Sequence, residues 1–246
     1  REVSEEEYRS FYEYITHSKN LYRWKLHFST DVPMSIKMLL YVPMQNPEAF
    51  GFGSSDVSID LYSRKVLIKK GCRELVPNYL RFVKGVVDCE DLPLNISREN
   101  YQDSALISKL RSVVTKRILR MLESESKNNK EEYLKWYSDF HLFLKEGMHT
   151  DHENSELILS LTRYDSTFAN NITLDQYIEK MKPGQKNIYY FLAPNKEQAA
   201  SSPYMEPFIK NEVPVLYLQV NIEEMILRQL NEYKKFQFVN VESAES

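Results

Sequence analysis

The amino-acid sequence predicts an α/β protein with a larger α/β unit, a helical connector, and a smaller α/β unit whose sheet is largely parallel. Three observations support this prediction. Apolar runs typical of strands dominate roughly the first ninety residues, and two long apolar stripes with helical spacing follow. The last part of the chain alternates helix and strand patterns, which favours parallel strands flanked by helices. The predicted boundaries are residues 1–124, 125–170 and 171–246.

The larger unit begins with a capped helix. Ser4 is followed by Glu5-Glu6-Glu7, and the apolar residues after them recur at helical spacing. Alternation and continuous apolar runs then predict strands. The predicted elements are strands at 24–28 and 36–42, a loop at 43–55, a long extended stretch at 57–68 and a short helix at 73–80.

The connector is predicted to be helical. One apolar stripe runs from Leu106 to Leu122, and an aromatic-rich stripe runs from Tyr133 to Leu144. A polar break is expected between them at 123–130, and Gly147 is expected to end the second helix. The first helix carries basic residues on its other face, which we interpret as solvated or in contact with a partner domain, with RNA binding as a weaker alternative. These residues are Lys109, Arg111, Lys116, Arg117 and Arg120.

The smaller unit contains a second capping signature. Thr173-Leu-Asp-Gln176 predicts the start of a helix that Pro183 and Gly184 follow. Helices and strands then alternate to the end of the chain. The predicted strands are 188–193, 213–218 and 236–241, and the predicted helices between them are 203–210 and 222–233.

Composition excludes several function classes. The 246 residues include 32 basic and 35 acidic side chains, so a net charge of −3 favours neither nucleic acid nor a membrane surface. No apolar run approaches the roughly 18–20 residues that span a bilayer. Cys72 and Cys89 are predicted to be free thiols in a reducing compartment. Because the chain starts at Arg1 inside an acidic helix start, we expect it to be a segment of a longer protein.

Recognisable active-site motifs are also missing from the sequence. It contains no phosphate-binding glycine loop, no dinucleotide fingerprint, no zinc-protease motif and no nucleophile elbow. His149, Asp151 and His152 have a spacing that could bind a metal, but their polar context favours a solvated loop, so no metal site is predicted. By elimination, the chain carries no complete active site of these kinds.

The stretch Gly85–Gln102 remains as the candidate site. A buried-type strand leads into an acidic turn formed by Asp88, Glu90 and Asp91, and helix-capping residues precede Arg98. A cation in the first turn of a helix opposes the helix dipole, so Arg98 would be more favourable facing an anion. It could stabilise a transferring phosphoryl group bound elsewhere. The alternative is a structural ion pair of Arg98 with Glu99, Glu90 or Asp91. The capping residues are Asn95 and Ser97.

The same stretch resembles a known family. Residues 85–99, read as Gly-Val-Val-Asp-Cys-Glu-Asp-Leu-Pro-Leu-Asn-Ile-Ser-Arg-Glu, are similar to the signature of the middle domain of the heat-shock protein 90 chaperones. The family usually has Ser where this chain has Cys89. Further similarity lies at 61–68, 187–190, 193–195 and 202–204, and it is greatest to the mitochondrial branch, the tumour-necrosis-factor-receptor-associated type.

This resemblance implies a piece of a dimeric, ATP-driven chaperone made of two αβα sandwiches joined by a helical connector. ATP and Mg²⁺ would bind mainly in an N-terminal domain, and a C-terminal domain would hold the homodimer. The residue that matches the family's phosphate-contacting arginine is Arg98, which would reach the ATP γ-phosphate when the N-terminal domain docks. Gln102 matches the supporting glutamine. Asp103 and Ser104 stand where cytosolic members have further amides.

The resemblance also implies a surface for client proteins and a location in the mitochondrial matrix. It implies neither nucleic-acid binding nor membrane insertion, and the segment alone should be inactive because it lacks the nucleotide pocket. The alternative interpretation is a client-binding or partner-binding module in which Arg98 is purely structural.

Overall fold

Two mixed β-sheets organise the chain in the computed structural model, which describes residues 2–51, 53–94 and 105–244. The chain divides into two compact units: unit 1 is 1–125 with 135–140, and unit 2 is 126–134 with 141–246.

The helices are α1 (Glu5–Thr16), α2 (Ala105–Asn128), α3 (Lys130–Thr150), α4 (Ser155–Leu161), α5 (Leu174–Lys180), α6 (Lys196–Ala200), α7 (Glu206–Lys210) and α8 (Asn221–Leu230). The strands are β1 (Tyr22–Thr30), β2 (Ile36–Pro43), β3 (Ser58–Ser63), β4 (Val66–Lys69), β5 (Lys84–Cys89), β6 (Asp165–Ser166), β7 (Asn187–Leu192), β8 (Val215–Leu218), β9 (Glu232–Tyr233) and β10 (Phe236–Asn240).

The sheet of unit 1 has the strand order β1-β2-β5-β3-β4, so β5 is its central strand. β5 pairs antiparallel with β2 and parallel with β3. Gly85 permits the close approach of β5 to β2. Its φ is +146°, and a side chain there would collide with the carbonyl oxygen of Leu39 and lie 2.9 Å from the Cα of Leu40. Only glycine adopts such a conformation at low cost.

Helices cover both faces of this sheet. Val42 pairs with Trp24, and the Trp24 ring lies 5.6 Å from the ring of Trp136 in α3. Tyr41 is the next residue along β2 and points to the opposite face, where its ring lies 5.0 Å from that of Tyr12 in α1. Because side chains alternate along a strand, α1 and the aromatic residues of α3 lie on opposite faces. The αβα sandwich is therefore confirmed for unit 1.

A partly buried ion pair fixes the long loop between β2 and β3. The carboxylate of Glu48 accepts hydrogen bonds from Nε and Nη2 of Arg81 at 2.7 and 3.0 Å. It also accepts from the backbone N and the Oγ of Ser55 at 2.7 and 2.9 Å. The hydrogen bond from Arg81 is the main reason that the pKa of Glu48 is lowered to about 2. This pair ties the loop to the turn that precedes β5.

The sheet of unit 2 has the order β6-β8-β7-β10-β9, and its three central strands are parallel. Phe191 packs in a core with residues of α6 and the following turn, including Ala199 and Met205. On the other face, Glu224 of α8 accepts a hydrogen bond from Asn240 at 2.8 Å. This arrangement confirms the predicted smaller sandwich with a largely parallel sheet. α5 begins with the predicted capping box of Thr173 and Gln176, and α1 begins with that of Ser4 and Glu7.

Three local predictions in the connector and unit 1 differ from the structure. The polar break expected at 123–130 is confined to Asn129, because Ser126 continues the buried stripe of α2 one turn after Leu122. α3 runs past Gly147 to Thr150, and Met148 in that last turn is buried. The extended stretch expected at 57–68 is a hairpin of β3 and β4.

The short helix expected at 73–80 is also different. Two 3₁₀ turns, Arg73–Leu75 and Asn78–Leu80, stand in its place. Pro77 lies between them and lacks a backbone N–H, and its ring disfavours helical geometry at the preceding residue. In unit 2, α6 was not predicted, because a helix of only five residues has too few positions to show a helical period.

The close approach at Gly85 predicts a large stability loss for Gly85→Ala. The added Cβ would push against backbone atoms of β2 and occupy an unfavourable φ, so we expect the free energy of unfolding to fall by about 3 kcal/mol or more. Urea denaturation measures the change. The matched control is Gly184→Ala, where φ is +83° but no atom lies within 4 Å, and there a loss of about 1 kcal/mol is expected. Equal losses for both variants would contradict the collision argument.

The lowered pKa of Glu48 predicts an acid-dependent loss of stability. A carboxylate whose pKa is lower in the folded than in the unfolded state stabilises the fold above the unfolded value. That stabilisation is lost as the pH falls from about 4.5 towards 2, and it amounts to about 3 kcal/mol at most. Over this pH range, the free energy of unfolding should therefore fall less for Glu48→Gln than for the wild type, as measured by chemical denaturation. Glu6→Gln removes an exposed glutamate of α1, and its free energy of unfolding should fall as much as that of the wild type.

Candidate functional site

The acidic turn, residues 88–92, is the part of the candidate site that the structure describes. It begins at the end of β5, where Asp88 is paired with Lys37 of β2 on one side and with Tyr62 of β3 on the other. The pairing of β5 with both strands therefore fixes where the turn begins between β2 and β3. The backbone N of Leu92 donates to the carbonyl oxygen of Cys89 at 3.3 Å, and Leu92 itself is buried.

The start of β2 holds one side of the acidic turn. The backbone N of Glu90 donates to the carbonyl oxygen of Ser35 at 3.0 Å, and the backbone N of Ser35 donates to Oδ2 of Asp91 at 2.8 Å. Lys37 Nζ lies 2.9 Å from Oε1 of Glu90, and this hydrogen bond raises the pKa of Lys37. The reciprocal pair between Ser35 and the turn extends the strand pairing beyond the last residue of β5.

The β3–β4 hairpin holds the other side. Ser63 Oγ donates to the carbonyl oxygen of Leu92 at 2.6 Å, and this bond is fully buried. The backbone N of Lys65 donates to Oδ2 of Asp88 at 2.8 Å. Arg64 Nε donates to the carbonyl oxygen of Glu90 at 3.3 Å. The acidic turn is therefore bonded on both sides.

The turn of this hairpin has an unusual sequence, so the usual turn residues do not mark it. Arg64 and Lys65 have φ values of +48° and +66°, a conformation in which hairpin turns favour Asn-Gly or Gly-Gly. Side chains with a Cβ incur an energetic cost there. In this protein the hydrogen bonds of both residues to the acidic turn offset that cost. The only signal in the sequence is the short polar interruption Ser63-Arg64-Lys65 between apolar residues.

The carboxylates of the acidic turn therefore have structural partners. Asp88 and Asp91 bond to backbone N–H groups, and Glu90 pairs with Lys37. The pattern is typical of a turn held in place rather than of a ligand set for a cation. Within residues 2–51, 53–94 and 105–244, no group of three or more His, Cys, Asp or Glu side chains is arranged to hold a metal ion.

Both cysteines are free, as predicted, and both are buried. Burial is the main cause that raises the pKa of Cys89, so its thiol stays protonated at neutral pH. A protonated thiol fits the buried end of β5 as a small, weakly polar side chain.

The predicted site residues Arg98 and Gln102, and the predicted caps Asn95 and Ser97, lie outside the described residues. The described chain resumes at Ala105, where α2 begins. The structure thus brings together Asp88, Glu90 and Asp91 as expected. The roles predicted for Arg98 and Gln102 stay predictions.

The other sequence candidates have ordinary contacts. His149 lies in the last turn of α3, and its Nδ1 is 2.8 Å from Oε1 of Gln229. Asp151 accepts hydrogen bonds from the backbone and side chain of Asn154 at 3.2 and 2.8 Å. On the basic face of α2, the Arg117 guanidinium lies 3.8 Å from the ring centre of Phe28, and Arg120 pairs with Glu123 at 2.7 Å.

Comparison with known proteins identifies the family. The model of the family described as Hsp90 protein matches residues 1–246, the whole chain. The chain belongs to the Hsp90 family. The mitochondrial TNF receptor-associated protein 1 homolog of Dictyostelium discoideum is 39% identical over 250 residues, which cover 99% of this chain and 35% of that protein.

Relatives from bacteria and mammals are similarly close to this Hsp90-family chain. Chaperone protein HtpG of Desulfitobacterium hafniense is 41% identical over 235 residues, covering 94% of this chain and 38% of the relative. Mitochondrial heat shock protein 75 kDa of Rattus norvegicus is 40% identical over 249 residues, which cover 99% of this chain and 35% of that protein. The chain thus spans little more than a third of the length of these relatives. Of the helices in the part described, none combines the length and apolar character needed to cross a bilayer.

The contacts on the β2 side predict unequal effects for two substitutions. Asp91→Ala removes the acceptor of the Ser35 N–H, so we expect a loss of about 1 kcal/mol in the free energy of unfolding. Lys37→Ala removes an exposed ion pair and should have the smaller effect. Chemical denaturation of both variants measures the difference. A larger loss for Lys37→Ala than for Asp91→Ala would contradict the assignment of the backbone bond as the stronger contact.

Proposed function

We propose that this chain is the middle domain of an ATP-dependent Hsp90-family chaperone, and that Arg98 contributes to ATP hydrolysis. In this proposal ATP is bound in an N-terminal domain outside the chain, and Arg98 contacts its γ-phosphate when that domain docks. Gln102 assists Arg98. The observation that carries the proposal is the family signature at 85–99, which includes Arg98 and lies within a whole-chain match to the Hsp90 family.

The chemistry of arginine suits this role. Negative charge is spread over the phosphoryl oxygens in the transition state, and a guanidinium placed there lowers the energy of that state more than that of the bound ATP. The planar guanidinium makes two parallel hydrogen bonds to such oxygens, which lysine does not. Arg98 therefore has to be held at one position and in one orientation. The hydrogen bonds on both sides of the acidic turn support this requirement, because they fix the chain that leads to Arg98.

The alternative role for Arg98 is a structural ion pair with Glu90 or Asp91. Glu90 is bonded to Lys37 through Oε1, and Asp91 to the backbone N of Ser35 through Oδ2. The second oxygen of each carboxylate can still accept a hydrogen bond, so measurement of ATP hydrolysis by Arg98→Ala decides between the two roles.

Several properties of the whole protein belong to the same proposal. ATP and Mg²⁺ are bound mainly by the N-terminal domain, and a C-terminal domain forms the homodimer. The segment alone is inactive as an ATPase because it lacks the nucleotide pocket. Two of the relatives carry mitochondrial names, and this similarity supports a location in the mitochondrial matrix.

Client binding is the second part of the proposed function. Unit 2 exposes large apolar side chains that a partner could cover, among them Tyr204 and Ile209, which are 54% and 48% exposed. On α8, Ile222 and Met225 are 50% and 61% exposed and lie one turn apart. Exposed apolar surface is a common feature of protein interaction sites. Unfolded or partly folded client proteins are the expected partners.

Replacing Arg98 tests the catalytic part directly. In the full-length protein, Arg98→Ala should lower kcat for ATP hydrolysis by about 10³-fold or more, the scale observed for arginines that contact a transferring phosphoryl group. A coupled ATPase assay measures the rate, and nucleotide binding should be retained because the pocket lies in another domain.

The matched control is Arg111→Ala, which removes the same charge from an exposed position on α2. It should hydrolyse ATP at the wild-type rate. If Arg98→Ala folds and also hydrolyses ATP at the wild-type rate, Arg98 has no catalytic role, and the interpretation as a binding module with a structural Arg98 gains support.

A further inference from the structure

We propose that a groove beside α1 in unit 1 binds a free α-amino acid with a large apolar side chain. The groove lies on the face of the sheet that α1 covers in part, and it is independent of the proposed role of Arg98. Its floor is apolar, and one wall is charged. We call it the α1 groove, and its lining includes Phe11, Lys37, Leu39, Lys65, Val86 and Asp88.

The floor of the α1 groove is a part of the sheet that α1 leaves uncovered. Leu39 of β2 pairs with Val86 of β5, and both side chains are partly exposed. Tyr41 lies two residues further along the same face of β2 and is fully buried, with its ring 5.0 Å from that of Tyr12 in α1. The helix therefore covers the Tyr41 end of this face and leaves Leu39 and Val86 accessible, with Phe11 beside them.

The charged wall lies one row further along the strands. Lys37 pairs with Asp88, and both lie on the same face as Leu39 and Val86 because side chains alternate along a strand. The backbone N of Lys65 donates to Oδ2 of Asp88 at 2.8 Å, so a second lysine flanks the same carboxylate. Asp88 thus lies between a lysine of β2 and a lysine of the β3–β4 hairpin.

Two groups of this wall have no partner within the part of the chain that the structure describes. Oδ1 of Asp88 is buried and accepts no hydrogen bond there. The exposed side chain of Lys65 also forms no ion pair or hydrogen bond there, whereas Lys37 is bonded to Glu90 at 2.9 Å. A buried carboxylate oxygen without a donor is costly. The wall therefore favours a ligand that brings a cationic donor to Asp88 and an anion to Lys65.

A free α-amino acid meets both requirements. Its ammonium group donates to Asp88, its carboxylate pairs with Lys65, and its apolar side chain lies on the floor of the groove. A simple carboxylic acid would bring an anion close to Asp88 without a donor for it, and a simple amine would leave Lys65 unpaired. A residue inside a peptide has neither terminal charge. The charges of the wall therefore select the zwitterion.

The size of the α1 groove fits such a ligand. Its volume is about 310 Å³, at the lower end of the roughly 300–1,000 Å³ that is typical of small-molecule sites. Burial of the apolar side chain against Leu39, Val86 and Phe11 supplies attraction, and the charged contacts supply specificity. Because the floor and Lys65 are exposed on one side, we expect weak binding, with a dissociation constant of about 1 mM.

The primary experiment titrates L-phenylalanine into the full-length protein and follows labelled Leu and Val methyl groups by NMR. The methyl resonances of Leu39 and Val86 should shift with one dissociation constant, and Leu39→Ile and Val86→Ile assign them. The resonances of Leu142, an exposed residue of α3, should not shift. If the resonances of Leu39 and Val86 stay unchanged at about 20 mM ligand, the inference is wrong.

Two analogues with the same apolar body test the charges of the ligand. Hydrocinnamate lacks the ammonium group of phenylalanine, and phenethylamine lacks its carboxylate. Each should shift the same methyl resonances but bind about threefold or more weakly than phenylalanine. Equal affinity of either analogue would overturn the assignment of the ligand as an amino acid.

Replacement of Asp88 tests the contact with the ammonium group. Asp88→Asn removes the charge but keeps an oxygen that can accept from the backbone N of Lys65. It should weaken phenylalanine binding about tenfold without weakening that of hydrocinnamate. The matched control is Asp60→Asn, which removes a carboxylate that accepts from the backbone N of Gly71 at 2.8 Å on the neighbouring strand. Equal losses for Asp88→Asn and Asp60→Asn would overturn the assigned contact.

Lys65→Met covers the case that Asp88→Asn does not fold, because Lys65 is exposed. It should weaken phenylalanine binding about threefold but leave phenethylamine, which has no carboxylate, unaffected. Lys70→Met removes the same charge from an exposed position outside the groove lining and should bind phenylalanine normally. Wild-type affinity of Lys65→Met for phenylalanine, or an equal loss for both ligands, would contradict the inference.

Discussion

The close packing of β5 between β2 and β3 is the constraint on which unit 1 depends. Gly85 allows the backbones of β5 and β2 to meet at a distance that no side chain would permit. That contact sets the register of β5, so Asp88 arrives between Lys37 and Tyr62, and the acidic turn follows directly. The position of the candidate site is therefore determined by a backbone contact three residues earlier, within the core of the sheet.

Two kinds of contact contribute differently to this arrangement. The apolar cores on both sides of the sheet provide most of the stability, because burial of aromatic and aliphatic surface is the dominant favourable term in folding. They do not determine where an exposed turn points. Short, buried polar bonds do, because a misplaced donor or acceptor incurs a desolvation cost. The bond of Ser63 to Leu92 is buried, and the pair of Glu48 with Arg81 is partly buried. The exposed pair of Lys37 and Glu90 adds little to stability.

Periodicity predicted the fold class but gave no prediction of the strand order of either sheet. The capping boxes at Ser4 and Thr173 are local signals, read within four residues, and both were correct. The polar end of α2 was missed because one buried side chain per turn suffices to continue a helix. The acidic turn was found, but its partners were not. Ser35 and Ser63 are 56 and 29 residues from the atoms they contact, a separation that no local pattern encodes.

In the proposed function, a residue of this chain completes an active site in another domain, and that role places a special demand on its own domain. No pocket walls surround such a residue before docking, so its placement relies on the chain that leads to it. Any part of that chain that is still free to move before docking must be ordered when the domains dock. The entropy cost of this ordering reduces the binding free energy between the domains. Fixing the acidic turn from both sides during folding removes part of that cost in advance. The left-handed conformations of Arg64 and Lys65 fit this account. Their conformational cost is accepted because it allows the hairpin to hold the acidic turn.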